Sequence, residues 1–199
     1  DGPSQMGIED IALAKALPGF IVICPADANS TKKATRAMFA HDGPVYLRVG
    51  RPDFPLVYPE DCDFTIGKAN TLRQGKDVTI FACGLMVSHA LVAANQLAKQ
   101  GIEAAVVDMH TINPLDDQAI EQAARETGAI VSAEEHLLNG GMGSGIARAV
   151  GNLCPVPMEF VGLDDTYASS GKPYDLLEKY HLMPEDIAKA AQKAVSRKS

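Results

Sequence analysis

The chain has 199 residues, a formal net charge of −7, 46% hydrophobic and 22% charged residues, which suits one large globular domain or two small ones. Its only basic clusters are Lys32-Lys33 and Arg197-Lys198. Nucleic-acid binding needs a concentrated positive surface to displace counterions and is not expected; no apolar run approaches the ~18 residues of a membrane span, so no membrane partner is expected either.

Taken in order, the chain opens on the turn residues Asp1-Gly2-Pro3, followed by an apolar stripe at helical spacing from Ile8 to Ala16 with Glu9 and Asp10 in its first turn. Residues 20–24 read as a strand ending at Pro25. A helix capped by Asn29 or Ser30 runs to about Ala40, where Asp42-Gly43-Pro44 stops it, and 45–49 is a short strand. Residues 52–76 change character: Pro52, Pro55 and Pro59 followed by Gly67 and Gly75 predict an extended linker, with Phe64-Thr65-Ile66 as a small edge strand.

From Asp77 the alternation becomes regular. Strands are predicted at 78–82, 104–107, 129–132 and 158–161. Helices are predicted at about 87–98, 116–127, 144–153, 173–180 and 184–198. Strands alternating with helices over 120 residues give an α/β fold with mostly parallel sheets and helices on both faces. Residues 77–199 are long enough to form a core of their own.

Cys24, Cys62, Cys83 and Cys154 are widely spaced and form no C-x-x-C pair. They read as small buried hydrophobes in a reducing cytosol, which predicts a cytoplasmic protein. Glu134-Glu135-His136 lacks the spacing of a metal motif. The glycines at 140, 141, 143 and 145 read as a tight strand-to-helix turn rather than a nucleotide cradle. No metal-binding residue is assigned. His41, His89, His110 and His181 read as surface or packing residues.

Four phrases carry a family resemblance. They are Asp1-Gly2-Pro3-Ser4-Gln5, Val107 to Asp116 ending in Asn113-Pro114-Leu115-Asp116, Glu134-Glu135-His136 with Gly140-Gly141-Met142-Gly143-Ser144, and Ser170-Gly171-Lys172-Pro173 with Leu176-Leu177-Glu178-Lys179-Tyr180. In this order and at these gaps they resemble the C-terminal part of the transketolase family of thiamine-diphosphate enzymes, including its separately encoded C-terminal subunits. The resemblance implies three stretches: 1–51, the end of the pyrimidine-binding domain; 52–76, a linker; and 77–199, the transketolase C-terminal domain. It implies transfer of a two-carbon ketol unit between sugar phosphates with thiamine diphosphate and a divalent metal such as Mg2+. The activating glutamate, the aminopyrimidine pocket and the diphosphate-binding domain are expected upstream of Asp1 or on a partner, an N-terminal transketolase subunit or domain. A homo-oligomer through the C-terminal subunit is also implied, and the chain alone is expected to be inactive.

By that resemblance Asp1 is a substrate-binding residue that accepts from a donor-sugar hydroxyl. Gln5 contacts the cofactor or reaction intermediate, since an amide can donate and accept hydrogen bonds but cannot move protons. Arg51 binds the substrate phosphate, because a guanidinium fork matches phosphate oxygens. Arg48 competes for that role, but strand alternation turns it to a different side from Val49. No residue of the chain is assigned as catalytic. Two readings remain beside this one: a subunit of a related thiamine enzyme (a 2-oxoacid dehydrogenase or a deoxyxylulose-phosphate synthase), or a non-catalytic assembly module.

Overall fold

The computed structural model describes residues 6–198. Asp1 and Gln5, two of the three predicted site residues, lie outside the described residues. The described elements are α1 (Asp10–Lys15), β1 (Ile21–Ile23), α2 (Ala28–Ala40), β2 (Val45–Leu47), β3 (Asn70–Arg73), β4 (Val78–Ala82), α3 (Met86–Ala98), β5 (Ala104–Asp108), β6 (Thr111–Asn113), α4 (Asp117–Thr127), β7 (Ile130–Leu137), α5 (Met142–Leu153), β8 (Met158–Leu163), α6 (Pro173–Lys179) and α7 (Pro184–Ser196). No described helix is long and apolar enough to cross a membrane.

The strands form two sheets, ordered β2-β1-β6 and β3-β5-β4-β7-β8. In the larger sheet β5, β4, β7 and β8 are parallel, and β3 is an antiparallel edge. Its central strand, Val78-Thr79-Ile80-Phe81-Ala82, is buried throughout, as expected for a strand covered on both faces. Side chains alternate along it. Val78, Ile80 and Ala82 pack with α3 and α7, whereas Phe81 packs with Ile120 of α4 and with Met142 and Ile146 of α5. Ile11 and Val22 join this second core, so the short sheet and α1 share an interior with the large sheet. The predicted α/β architecture is observed.

Two local expectations are corrected. The cap of α2 is Asp27, not Asn29 or Ser30. Ser30 sits at the third helical position, donating its N–H to Asp27 Oδ1 at 2.8 Å, while its hydroxyl accepts from Asp27 N at 3.0 Å. This reciprocal arrangement satisfies two of the helix's orphan donors. Residues 64–66 form no strand; Phe64 instead stacks on the His110 ring, with centroids 4.1 Å apart. The edge strand is Asn70–Arg73, whose partners are Asp108, Val107 and Val106.

The segment between the sheets is pinned to both. Asp27 Oδ2 accepts from Val57 N at 2.8 Å and Tyr58 N at 2.9 Å. Asn29 donates to Tyr58 O, and the Tyr58 hydroxyl donates to Asp108 Oδ2 at 2.8 Å. Gly67 N donates to Thr111 Oγ1, and Ala69 N to Asp116 Oδ2. A proline-rich stretch that makes few hydrogen bonds within itself is thus held by side chains from elements on either side.

Arg48, just past β2, is the main polar tether. Its Nε lies 3.1 Å from Asp10 Oδ2, and one terminal nitrogen donates to Gly7 O at 2.8 Å and to Glu135 O at 2.9 Å. Tyr46 donates to the same Asp10 oxygen at 2.7 Å. One guanidinium therefore joins β2, the entry to α1 and the far end of β7.

Both anchors can be tested by unfolding. Burial alone would raise the Asp27 pKa, but the N–H groups of Ser30, Tyr58 and Val57 outweigh it and hold the carboxyl below the ordinary aspartate value. A carboxyl depressed on folding stabilises above its unfolded pKa, and that stabilisation is lost as pH falls through the folded value. Asp27→Ala should cost about 2–3 kcal/mol at neutral pH in urea unfolding, from the lost cap and the orphaned linker amides. The gap to the wild type should narrow in acid; a constant gap would make the loss one of packing alone. Arg48→Met should cost about 3–5 kcal/mol in the same measurement, because it strands Asp10 and two carbonyls. Arg48→Lys should restore less than half of that, since an ammonium cannot span three acceptors as a planar fork does.

Candidate functional site

The C-terminal ends of β4 and β7 lie side by side, and the chain leaves them toward opposite edges of the large sheet, β4 leading to β5 and β7 to β8. Such a switch point opens a crevice where α/β proteins commonly bind ligands. Here the end of β1 is seated in it. Gly84 N donates to Cys24 O at 3.2 Å, and Cys24 N to His110 O at 2.8 Å.

Beside this seat lies a cavity of about 370 Å³. One wall comes from the N-terminal stretch: Met6, Asp10, Cys24, Arg48 and Arg51. The other comes from the large-sheet part: Glu135 at the end of β7, and Leu176, Leu177 and Tyr180 of α6 and its end. Two of the four family phrases thus contribute to one space: Glu135 belongs to the Glu134-Glu135-His136 phrase, and Pro173, Leu176, Leu177 and Tyr180 belong to the last.

Arg51 lines this cavity and is exposed. Arg48 lines it too, but its donors are committed to Asp10, Gly7 and Glu135. Burial works against the Arg48 charge; Cys24, Asp10 and Glu135 around it more than compensate and hold its pKa above the ordinary arginine value. Arg48 thus holds the wall that Arg51 also lines.

The adjacent acids Glu134 and Glu135 point apart, as strand geometry requires. Glu134 is fully buried and accepts from Met142 N at 2.6 Å and Gly143 N at 2.8 Å, the first amides of α5. Burial raises its pKa, opposed by those two amides. A Cβ at Gly141 would collide with the Glu134 carboxylate, which explains the glycine there. The glycine turn is therefore an anion-binding helix start whose anion is the chain's own side chain. Glu135 stands in the cavity wall, with its pKa raised by burial and lowered in part by Arg48.

His136 is buried, its Nε2 accepting from Ala12 N at 3.3 Å while Nδ1 meets Leu137 O at 2.6 Å. That pattern requires the neutral ring protonated on Nδ1. His89 Nδ1 meets Leu182 O at 2.9 Å. His110 is buried under Phe64, and desolvation lowers its pKa to about 4. Among the described residues no group of three His, Cys, Asp or Glu could hold a metal ion. The glycine-rich start of α5, whose amides could cradle an anion, is filled by Glu134. The described residues do not fit a diphosphate–metal group.

Sequence reasoning missed the Asp10–Tyr46–Arg48 clamp and the meeting of Cys24 with Cys83. An arginine set between Leu47 and Val49 in an otherwise apolar strand was the available signal for the first. Nothing in the spacing signalled the second.

A family model described as the transketolase C-terminal domain matches residues 67–187, and one for the transketolase pyrimidine binding domain matches residues 1–56. The 6-deoxy-6-sulfo-D-fructose transketolase subunit SqwH of Clostridium sp. (strain MSTE9) is 41% identical over 199 residues, covering 100% of this chain and 62% of that protein. An apulose-4-phosphate transketolase subunit of Phocaeicola vulgatus is 39% identical over 197 residues, covering 98% of this chain and 63% of that protein. A solved structure described as a split gene transketolase, inactive beta4 tetramer, superposes with a TM-score of 0.96 at 42% identity, covering 100% of this chain and 65% of that one. The chain thus spans somewhat under two thirds of the length of these proteins. With the C-terminal domain model matching more than half of its residues, the chain belongs to the transketolase family.

Proposed function

We propose that the chain is the C-terminal portion of a split, thiamine-diphosphate-dependent transketolase that moves a two-carbon ketol unit between sugar phosphates. In this reading residues 1–51 close the pyrimidine-binding domain, 52–76 are the linker and 77–199 form the C-terminal domain. The cofactor and its divalent metal are held mainly by parts outside this chain, and a companion N-terminal subunit supplies them. The observation that carries the reading is the similarity along the whole chain to transketolase subunits, with both domain models matched in the same order. The higher identity to transketolase subunits, 41% and 39% against 36% to 1-deoxy-D-xylulose-5-phosphate synthases, favours this reading over that enzyme. The split-gene neighbour, described as an inactive tetramer of beta chains, supports both self-association and the need for a companion.

Bound thiamine diphosphate would supply the carbanion chemistry of ketol transfer. This chain's own part is binding and orientation. Asp1 accepts from a hydroxyl of the donor sugar, Gln5 hydrogen-bonds the cofactor or intermediate, and Arg51 grips the phosphate at the far end of the substrate. That Arg51 lines the cavity supports its assignment.

The complete assembly should transfer the ketol unit from xylulose 5-phosphate to ribose 5-phosphate when thiamine diphosphate and Mg2+ are added, and the chain alone should not. Turnover without a companion would overturn the division of labour. In the assembly, Arg51→Ala should lower kcat/KM for ribose 5-phosphate on the order of 10²-fold, with little change for an unphosphorylated aldose. An equal loss on both acceptors would make Arg51 structural.

A further inference from the structure

Two cysteines distant in sequence meet where β1 enters the large sheet's crevice. Cys24 directly follows β1, and Cys83 directly follows β4. Both are buried, at 3% and 2% exposure. The backbone fixes their approach through the 3.2 Å bond from Gly84 N to Cys24 O. A Cβ built on Gly84 would lie 2.9 Å from Cys24 Sγ, so the Cys24 sulfur is packed directly against the backbone beside Cys83. Cys24 and Cys83 belong to the same buried cluster, and each perturbs the proton affinity of the other, with the Arg48 charge beside Cys24. Cys24 is among the residues that line the 370 Å³ cavity.

We propose that Cys24 and Cys83 are a peroxide-reactive thiol pair: Cys24, in the cavity lining, is oxidised by hydrogen peroxide, and Cys83 resolves it to a disulfide joining β1 to β4. In the first step the Cys24 sulfur attacks one peroxide oxygen and the O–O bond breaks. The attacked oxygen stays on sulfur as a sulfenic acid, and the other leaves as water, taking up the thiol proton. In the second step the Cys83 sulfur attacks the Cys24 sulfur. The S–S bond forms, the S–O bond breaks, and the sulfenic oxygen departs as a second water with the proton that Cys83 gives up. The two thiols together lose two protons and two electrons, and the peroxide is reduced to two waters.

The surroundings favour this division of roles. Cys83, helped by the Arg48 charge, holds the Cys24 thiol below the ordinary range despite its burial. Cys24, together with burial, pushes Cys83 well up. The thiolate is the reactive form, so Cys24, the thiol that gives up its proton more readily, takes the first step.

The purified full chain is treated with increasing hydrogen peroxide, its remaining thiols are alkylated, and it is digested without reduction and mapped by mass spectrometry. A linked Cys24–Cys83 peptide pair should accumulate and vanish on treatment with dithiothreitol before digestion. It should form at least ~10-fold faster than oxidation of the half-buried Cys154. In Cys83→Ser, peroxide with dimedone should label Cys24, the trapped sulfenic acid. Should that variant not fold, the wild-type map decides alone. Cys24 and Cys83 both remaining alkylatable at a peroxide dose that has oxidised Cys154 would overturn the proposal. So would a folded Cys83→Ser protein with no dimedone on Cys24.

Discussion

A buried positive charge needs partners on every side, and the Arg48 guanidinium finds them only where three separate pieces of chain converge. Asp10 neutralises it, Gly7 and Glu135 accept from it, and Cys24 lies against it. Because an unpaired guanidinium in this position would cost several kcal/mol, the pieces cannot drift apart singly. The wall of the cavity, the entry to α1 and the end of β7 are therefore positioned by one side chain, and Arg51, three residues further on, inherits that placement. Charge pairing here does not add much net stability over an apolar contact; it selects one arrangement over others of similar packing.

The crevice at the switch point is put to internal use in the same way. In an open parallel sheet the strand ends and helix starts there present unsatisfied amides and an accessible gap. In this chain the gap receives β1, and the start of α5 receives Glu134. Both features that could bind a ligand in another protein of this architecture serve internal joining, which leaves the interlobe cavity as the place where side chains of different character face open space. Its composition is mixed, with Arg51 and Glu135 on one part and the leucines and tyrosine of α6 on another.

How much of this is legible in sequence depends on where the determining interaction lies. The central strands are legible because they are buried on both faces and so read as unbroken apolar runs, as in Val78 to Ala82. α4 is legible because its cap, Asp116, and its left-handed terminator, Gly128, are local. Strands β3 and β6 are not. Asn70-Thr71-Leu72-Arg73 carries no alternation and Thr111-Ile112-Asn113 is too short for one to be read, and they extend because Asp108 to Val106 and Val22 to Ile23 offer backbone partners. The site divides likewise. Two of the family phrases, each contiguous and so legible, contribute residues to the cavity wall. The Arg48 clamp and the thiol pair are products of tertiary contact between residues far apart, and neither leaves a spacing to read.

The three-stranded sheet is closed by a strand that belongs to the other half of the chain. β1 pairs with β2 close by, but its second neighbour, β6, is reached only after the linker, β3, β4, α3 and β5 have been laid down. On a ribosome β1 would be synthesised long before its partner exists. Its apolar Ile21-Val22-Ile23 edge would then stand open, unable to complete its ladder however favourable the local sequence. Closing so long a loop is entropically costly until the large sheet has formed and brought β6 into place. A strand made early in this chain is thus among the last that can finish folding, and shielding that waiting edge becomes a task for the growing chain's surroundings.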